Sequence, residues 1–138
     1  MKTRIILLIF TLIGFVYSAV TPVVGGWTGY DVKDEGVKSA TQFAIKNFNE
    51  NINKSNVGYK LIRIKKAEGQ VVAGMNYRVQ FITGSTTCKK DQISINDNSC
   101  PFDKKKNIKL QFCKAIIYVI PWEDYMEVTS LSCKKIKK

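Results

Sequence analysis

The chain has 138 residues, with 22 basic and 11 acidic side chains for a net charge of +11, and it contains no histidine. Serine, threonine and cysteine nucleophiles therefore lack their usual general base, and the commonest metal ligand is missing, which argues against an enzyme and against a metal or other cofactor. The positive balance leaves anionic partners open, but the lysines are scattered, with Lys104-Lys105-Lys106 and Lys134, Lys135, Lys137 and Lys138 as the nearest groupings; this is the pattern of a solvated basic surface, not of a nucleic-acid or membrane site.

Lys2 and Arg4 precede an apolar run, Ile5 to Val16, broken only by Thr11 and Gly14, and Val16 and Ser18 stand at the −3 and −1 positions for a cut after Ser18. This is the layout of a secretory signal peptide over residues 1–18; the run is shorter than the roughly 20 apolar residues a membrane span needs. Removal leaves 120 residues with 20 basic and 11 acidic side chains, a net +9 and one domain's worth of chain over residues 19–138. Secretion to an extracellular, oxidising compartment is expected.

Ala19 to Tyr30, with Pro22 and Gly25-Gly26, reads as an extended mobile arm. A helix follows. Asp31 and Asp34 are candidate N-caps, and Val37, Ala40, Ala44 and Phe48 recur at steps of three and four, flanked by Phe43 and Ile45 and opposed by Lys38, Gln42, Lys46 and Glu50. Asn49 to Asn56 reads as a polar connector. Val57 to Lys66 alternates, but its phase switches at Ile62 and Ile64, which predicts a bulge. Met75 to Ile82 alternates cleanly, and the turn-like link Gln70-Val71-Val72-Ala73-Gly74 makes the two runs a hairpin. Cys88 to Lys106 reads as a long polar loop. Ile108 to Ile120 is the strongest strand, Pro121-Trp122-Glu123-Asp124 interrupts it, and Tyr125 to Cys133 completes a second hairpin. The fold class is α+β: one α-helix wrapped by an antiparallel β-sheet of four to five strands.

No glycine-rich phosphate cradle is present. The acidic pairs Asp34-Glu35 and Glu123-Asp124 sit at a helix start and in a turn, where capping and solvation account for them. Four cysteines, Cys88, Cys100, Cys113 and Cys133, imply two bridges in a secreted domain. Three connectivities are open; sequential pairing is the local choice, closing loops worth roughly 3 kcal/mol each in the chain-entropy model. Trp27 is expected to pack on the helix or sheet.

Three segments are apolar where polar residues are usual: the valines of the Gln70–Gly74 link, the Pro121-Trp122 turn, and Val23-Val24 before Gly25. Brought to one end of the sheet, they would form a wedge for a cleft. With these residues in order, the chain resembles the type 2, secreted cystatins from about Thr21 to Cys133. Gln70-Val71-Val72-Ala73-Gly74 matches that family's Gln-x-Val-x-Gly loop, Pro121-Trp122 its second hairpin loop, and Gly25 its N-terminal glycine; the cysteines match its sequential pattern, Cys88–Cys100 and Cys113–Cys133. The resemblance implies reversible, non-covalent inhibition of papain-like proteases of the cathepsin L, S, C and B type. By carry-over, Val23, Val24 and Gly25 contact one flank of the cleft, Gln70, Val71, Val72, Ala73 and Gly74 cover its centre, and Pro121 and Trp122 take the other flank. It implies a monomer, with a dimer exchanged through the first loop, near Val72, as a second state. The asparagine site some cystatins use against legumain is not matched: Ile52-Asn53-Lys54 replaces Ser-Asn-Asp, and Asn53-Lys54-Ser55 is instead a glycosylation sequon in what reads as an ordinary solvated loop. A competing reading is a non-inhibitory cystatin-fold module that uses its charge to bind membranes or glycans.

Overall fold

The computed structural model describes residues 25–93 and 99–137. The residues expected to form a signal peptide, together with Val23 and Val24, lie outside the described residues. Helix α1 (Glu35–Asn47) begins where the Oδ1 atom of Asp34 accepts the Val37 N–H at 3.0 Å, so of the two candidate caps Asp34 is the one used. Val37, Ala40, Ala44 and Ile45 are buried along one face, and Thr41 joins them by returning its hydroxyl to the Val37 carbonyl at 2.7 Å. The expected polar connector starts later than predicted. Phe48–Ile52 continues the helix as a π-turn, because Asn49 is buried and clamps the chain at Tyr59, donating to the Tyr59 carbonyl at 2.9 Å and accepting the Tyr59 N–H at 3.0 Å.

Five antiparallel strands follow one another across a single sheet: β1 (Thr28–Tyr30), β2 (Val57–Val72), β3 (Gly74–Lys89), β4 (Leu110–Ile120) and β5 (Tyr125–Ile136). The helix covers one face, its apolar stripe packed with Tyr77, Val79 and Phe81 of β3 and Ala115, Ile117 and Val119 of β4. Two sequence expectations change. The N-terminal arm is not free up to Tyr30: Thr28–Tyr30 pairs with Gly69–Ala67 of β2, and the Tyr30 ring meets Tyr77 edge-on at 5.8 Å. The link between β2 and β3 is not a five-residue turn, since pairing runs on to Val72 opposite Gly74 and leaves Ala73 alone at the apex. The phase switch in β2 is a bulge as expected, with register slips between Leu61 and Arg63 and again between Ile64 and Lys66. Strand β3 extends through Cys88, and Phe102 bridges back to Thr86, so the first part of the expected loop belongs to the sheet.

Both disulfides are sequential. Cys88–Cys100 ties the long connection to the end of β3, and Cys113–Cys133 joins directly opposed residues of β4 and β5, with Cα atoms 4.1 Å apart.

Candidate functional site

Antiparallel register settles which turns share an end of the sheet. Met75, at the start of β3, lies opposite Val119, at the end of β4, so the β2–β3 apex and the β4–β5 turn sit side by side, about one strand spacing of 4.8 Å apart. At the first apex Val71 is 68% exposed, Ala73 is exposed and Val72 is half-buried. Gly74 has φ +111°, and a Cβ there would come within 2.5 Å of the Val119 carbonyl oxygen. The neighbouring hairpin therefore fits only a glycine at this position. From β4 the Tyr118 hydroxyl donates to the Ala73 carbonyl and holds the apex from its flank.

The second turn is a 3-10 turn, Pro121–Glu123, started by the fixed φ of Pro121 and closed by Asp124 at φ 49°. It lifts Trp122 to 71% exposure, the largest outward-facing apolar side chain among the described residues. Tyr125 stands beneath the turn and meets the Tyr118 ring of the same hairpin at 6.4 Å, so the ring that holds the Ala73 apex is itself packed within the second hairpin.

The arm reaches the same end. Pairing of β1 with β2 brings Gly25 to Gln70, whose Nε2 donates to the Gly25 carbonyl at 2.8 Å while its Oε1 accepts from Asn76 at 3.1 Å. Gly69 makes the approach of β1 feasible: a Cβ there would lie 2.5 Å from the Tyr30 ring. Trp27 packs on the sheet as expected, its ring 4.2 Å from the Arg78 guanidinium. Arg78 is held in turn by Glu68, which also pairs with Lys66 at 2.9 Å. The hydrogen bonds from Lys66 and Arg78 keep the Glu68 carboxyl below its usual range.

Of the residues singled out in the sequence, Gly25, Gln70, Val71, Val72, Ala73, Gly74, Pro121 and Trp122 lie together at this edge. Asn53 does not: it caps the π-turn and is only 8% exposed. Its Nδ2 donates to the Val57 carbonyl at 2.7 Å and its Oδ1 accepts from the Ser55 N–H at 3.0 Å, so it is a buried structural amide and not part of a solvated loop. Sequence reasoning missed Tyr118, Tyr125 and Asn76. Alternation marks Tyr118 as outward-facing, but its partner Ala73 is 45 residues away and no local signal announces it. The edge has the makings of a binding surface and not of a reaction centre. Its most exposed large side chains, Val71 and Trp122, are apolar, the carboxylates of Glu123 and Asp124 flank the second turn, and its polar groups Gln70, Asn76 and Tyr118 are spent on internal hydrogen bonds.

A cystatin domain model matches residues 25–122. Cystatin-C from Bos taurus is 36% identical over 115 residues, covering 81% of this chain and 74% of that protein. L-cystatin from Tachypleus tridentatus is 38% identical over 112 residues, covering 81% and 83%. The crystal structure of dimeric human cystatin F superposes with a TM-score of 0.75 at 29% identity, covering 88% of this chain and 94% of the other.

Proposed function

The chain belongs to the cystatin family, and from that premise we propose that it is a secreted, reversible, tight-binding inhibitor of papain-like cysteine proteases of the cathepsin L, S, C and B type. Membership in the family supports inhibition of cysteine proteases in general and identifies the chain as an inhibitor, not an enzyme. The proposal adds the mechanism: an apolar wedge in three parts enters the active-site cleft. Val23, Val24 and Gly25 take one flank, Gln70 to Gly74 the centre, and Pro121 and Trp122 the other flank.

One observation carries this reading. Two large apolar side chains, Val71 and Trp122, are 68% and 71% exposed on adjacent hairpin ends that are otherwise rigidly built. Exposed apolar tips contribute little to folding, whereas burial in a partner yields about 25 cal/mol per Å², and a paired, disulfide-braced sheet loses little entropy on docking. In this reading occupation of the cleft is non-covalent: the tips cover the enzyme's thiolate, which is the nucleophile of the cleft, without setting a peptide carbonyl in line for its attack. The reading takes residues 1–18 as a signal peptide and 19–138 as the mature domain, acting as a monomer; a dimer exchanged by opening the Ala73 apex would dismantle the central part of the wedge. Legumain stands outside the proposed targets, because Asn53 is committed to the Val57 carbonyl. A non-inhibitory role for the module is disfavoured by the intact apolar tips.

The test is an inhibition panel of papain and cathepsins L, S, C and B with the purified, oxidised protein. Inhibition that titrates at about one to one, reverses on dilution and releases uncleaved chain is expected. Full activity of every enzyme at about 1 μM inhibitor, or cleavage of the chain as a substrate, overturns the proposal.

A further inference from the structure

The lysines that look scattered in sequence are collected by the sheet. Inward-facing residues of β2, namely Tyr59, Leu61, Ile64 and Ala67, are spaced by two, three and three positions, because the ladder slips twice between Tyr59 and Ala67. Each slip adds one residue to the outer side, so Ile62-Arg63 and Lys65-Lys66 face away from the helix as pairs. Cross-strand partners share a face. Lys66 stands opposite Gln80, Gln80 opposite Lys114, Lys114 opposite Ser132, and Phe112 opposite Lys134. The ammonium groups of Lys65 and Lys114 each lie 5.8 Å from the centre of the Phe112 ring, and that of Lys60 lies 4.7 Å from the Phe102 ring.

The result is a basic band across four strands. It holds an open groove of about 460 Å³ lined by Gln80, Ile116, Lys66, Lys114, Ser130 and Ser132, with the ion-paired Glu68 and Arg78 also in its wall. Strands β2, β3 and β4 together carry seven basic residues against one acid, Glu68, which is already shared by Lys66 and Arg78. Like charges on neighbouring strands oppose folding, and the core on the other face gains nothing from them.

We propose that this outer face is a second binding site, separate from the apolar edge, for a sulfated polysaccharide chain laid across the strands through the groove. Lys66 on β2 and Lys114 on β4 stand two strand spacings apart, about 10 Å, with neutral Gln80 between them, and Lys134 on β5 lies one outward position away beside Phe112; cations so spaced suit a polyanion with regularly placed sulfates, and Gln80, Ser130 and Ser132 supply neutral donors for sulfate and sugar oxygens. A bilayer suits it less well. Val71 and Trp122, the most exposed apolar side chains among the described residues, stand at the tips and not in the band, while Ile62 and Phe102, 41% and 38% exposed, lie against Gly84. A groove also admits a thin chain more readily than a plane of headgroups.

The test compares the purified oxidised protein with Lys65→Glu/Lys114→Glu on the band and with Lys33→Glu/Lys54→Glu elsewhere, a pair making the same charge change. Binding to immobilised heparin at physiological salt is expected for the parent. A loss of at least about tenfold is expected for the band variant, because attraction there becomes repulsion, and a loss of under about threefold for the other pair, from screened long-range attraction. Papain inhibition should be equal in all three proteins, showing that each is folded. Absence of heparin binding by the parent, equal losses in both variants, undiminished binding to fully desulfated heparin, or equally tight binding to vesicles with about 30 mol% phosphatidylserine would each overturn the proposal.

Discussion

Replacing Trp122 by alanine separates binding from folding more cleanly than any other change at the edge. The indole is 71% exposed, so of the roughly 250 Å² a tryptophan can bury, about 175 Å² is still in water. Complete burial of that area in a cleft is worth about 4 kcal/mol at 25 cal/mol per Å², and burial of half of it about 2. Trp122→Ala should therefore weaken inhibition by about 2 to 4 kcal/mol, or roughly 30-fold to 1,000-fold in the inhibition constant. The folded state has little to lose, so unfolding free energy should stay within about 0.5 kcal/mol of the parent. Inhibition constants against papain and urea unfolding curves on the same preparations give both numbers. An inhibition constant within about threefold of the parent at unchanged stability would remove the indole from the interface; a stability loss above about 1 kcal/mol would mean that it packs inward.

Gly74→Ala should act through both properties: a residue at φ +111° pressed against the Val119 carbonyl costs about 1 to 3 kcal/mol of backbone strain, so the urea midpoint falls and inhibition weakens as the two hairpin ends move apart. Gln70→Ala removes the bond to Gly25 and should weaken inhibition by about 0.5 to 1.5 kcal/mol, but should have no such effect in a variant that starts after Gly25, which lacks the accepting carbonyl, a double-mutant cycle on inhibition constants. Glu68→Gln reads the acid limb of stability. Because the folded-state carboxyl lies below its usual range, its contribution is present above the unfolded value of about 4.3 and fades as pH falls through the lower folded value. The melting-temperature difference between parent and variant should thus vanish at low pH and reach its plateau above about pH 5.

Much of the fold can be read from alternation alone. Met75 to Ile82 shows strict two-residue periodicity because its strand packs one face on the helix, β4 announces itself by its continuous apolar run from Ile116 to Ile120, and the helix by Val37, Ala40 and Ala44. The bulge at Ile62 is equally legible, since Leu61 and Ile64 cannot both face inward without one. The second slip hides in Lys65-Lys66, where two polar residues in succession look like ordinary surface. Strand β1 is unreadable for a different reason: three residues containing Gly29 carry no pattern, and their place is decided by Tyr30 lying over Gly69 and against Tyr77. At the edge, the exposed apolar residues stand out by being in the wrong class for a turn. The hydrogen bonds that hold them, Gln70 to Gly25 and Tyr118 to Ala73, each span 45 residues and leave no local trace. The basic band is invisible for the same reason, because strand register and not sequence spacing assembles it.

The length of the β2–β3 ladder has a consequence of its own. Each strand runs 16 residues without a break in pairing direction, and at about 3.3 Å per residue the hairpin is a ruler of roughly 50 Å. Its apex meets one class of molecule, whereas the cations begin about 20 Å below at Lys66 and continue to about 40 Å at Lys60. Occupants at the two stations need not collide, so the protein can stay tethered to an immobile anionic matrix while its free end patrols for enzymes diffusing past.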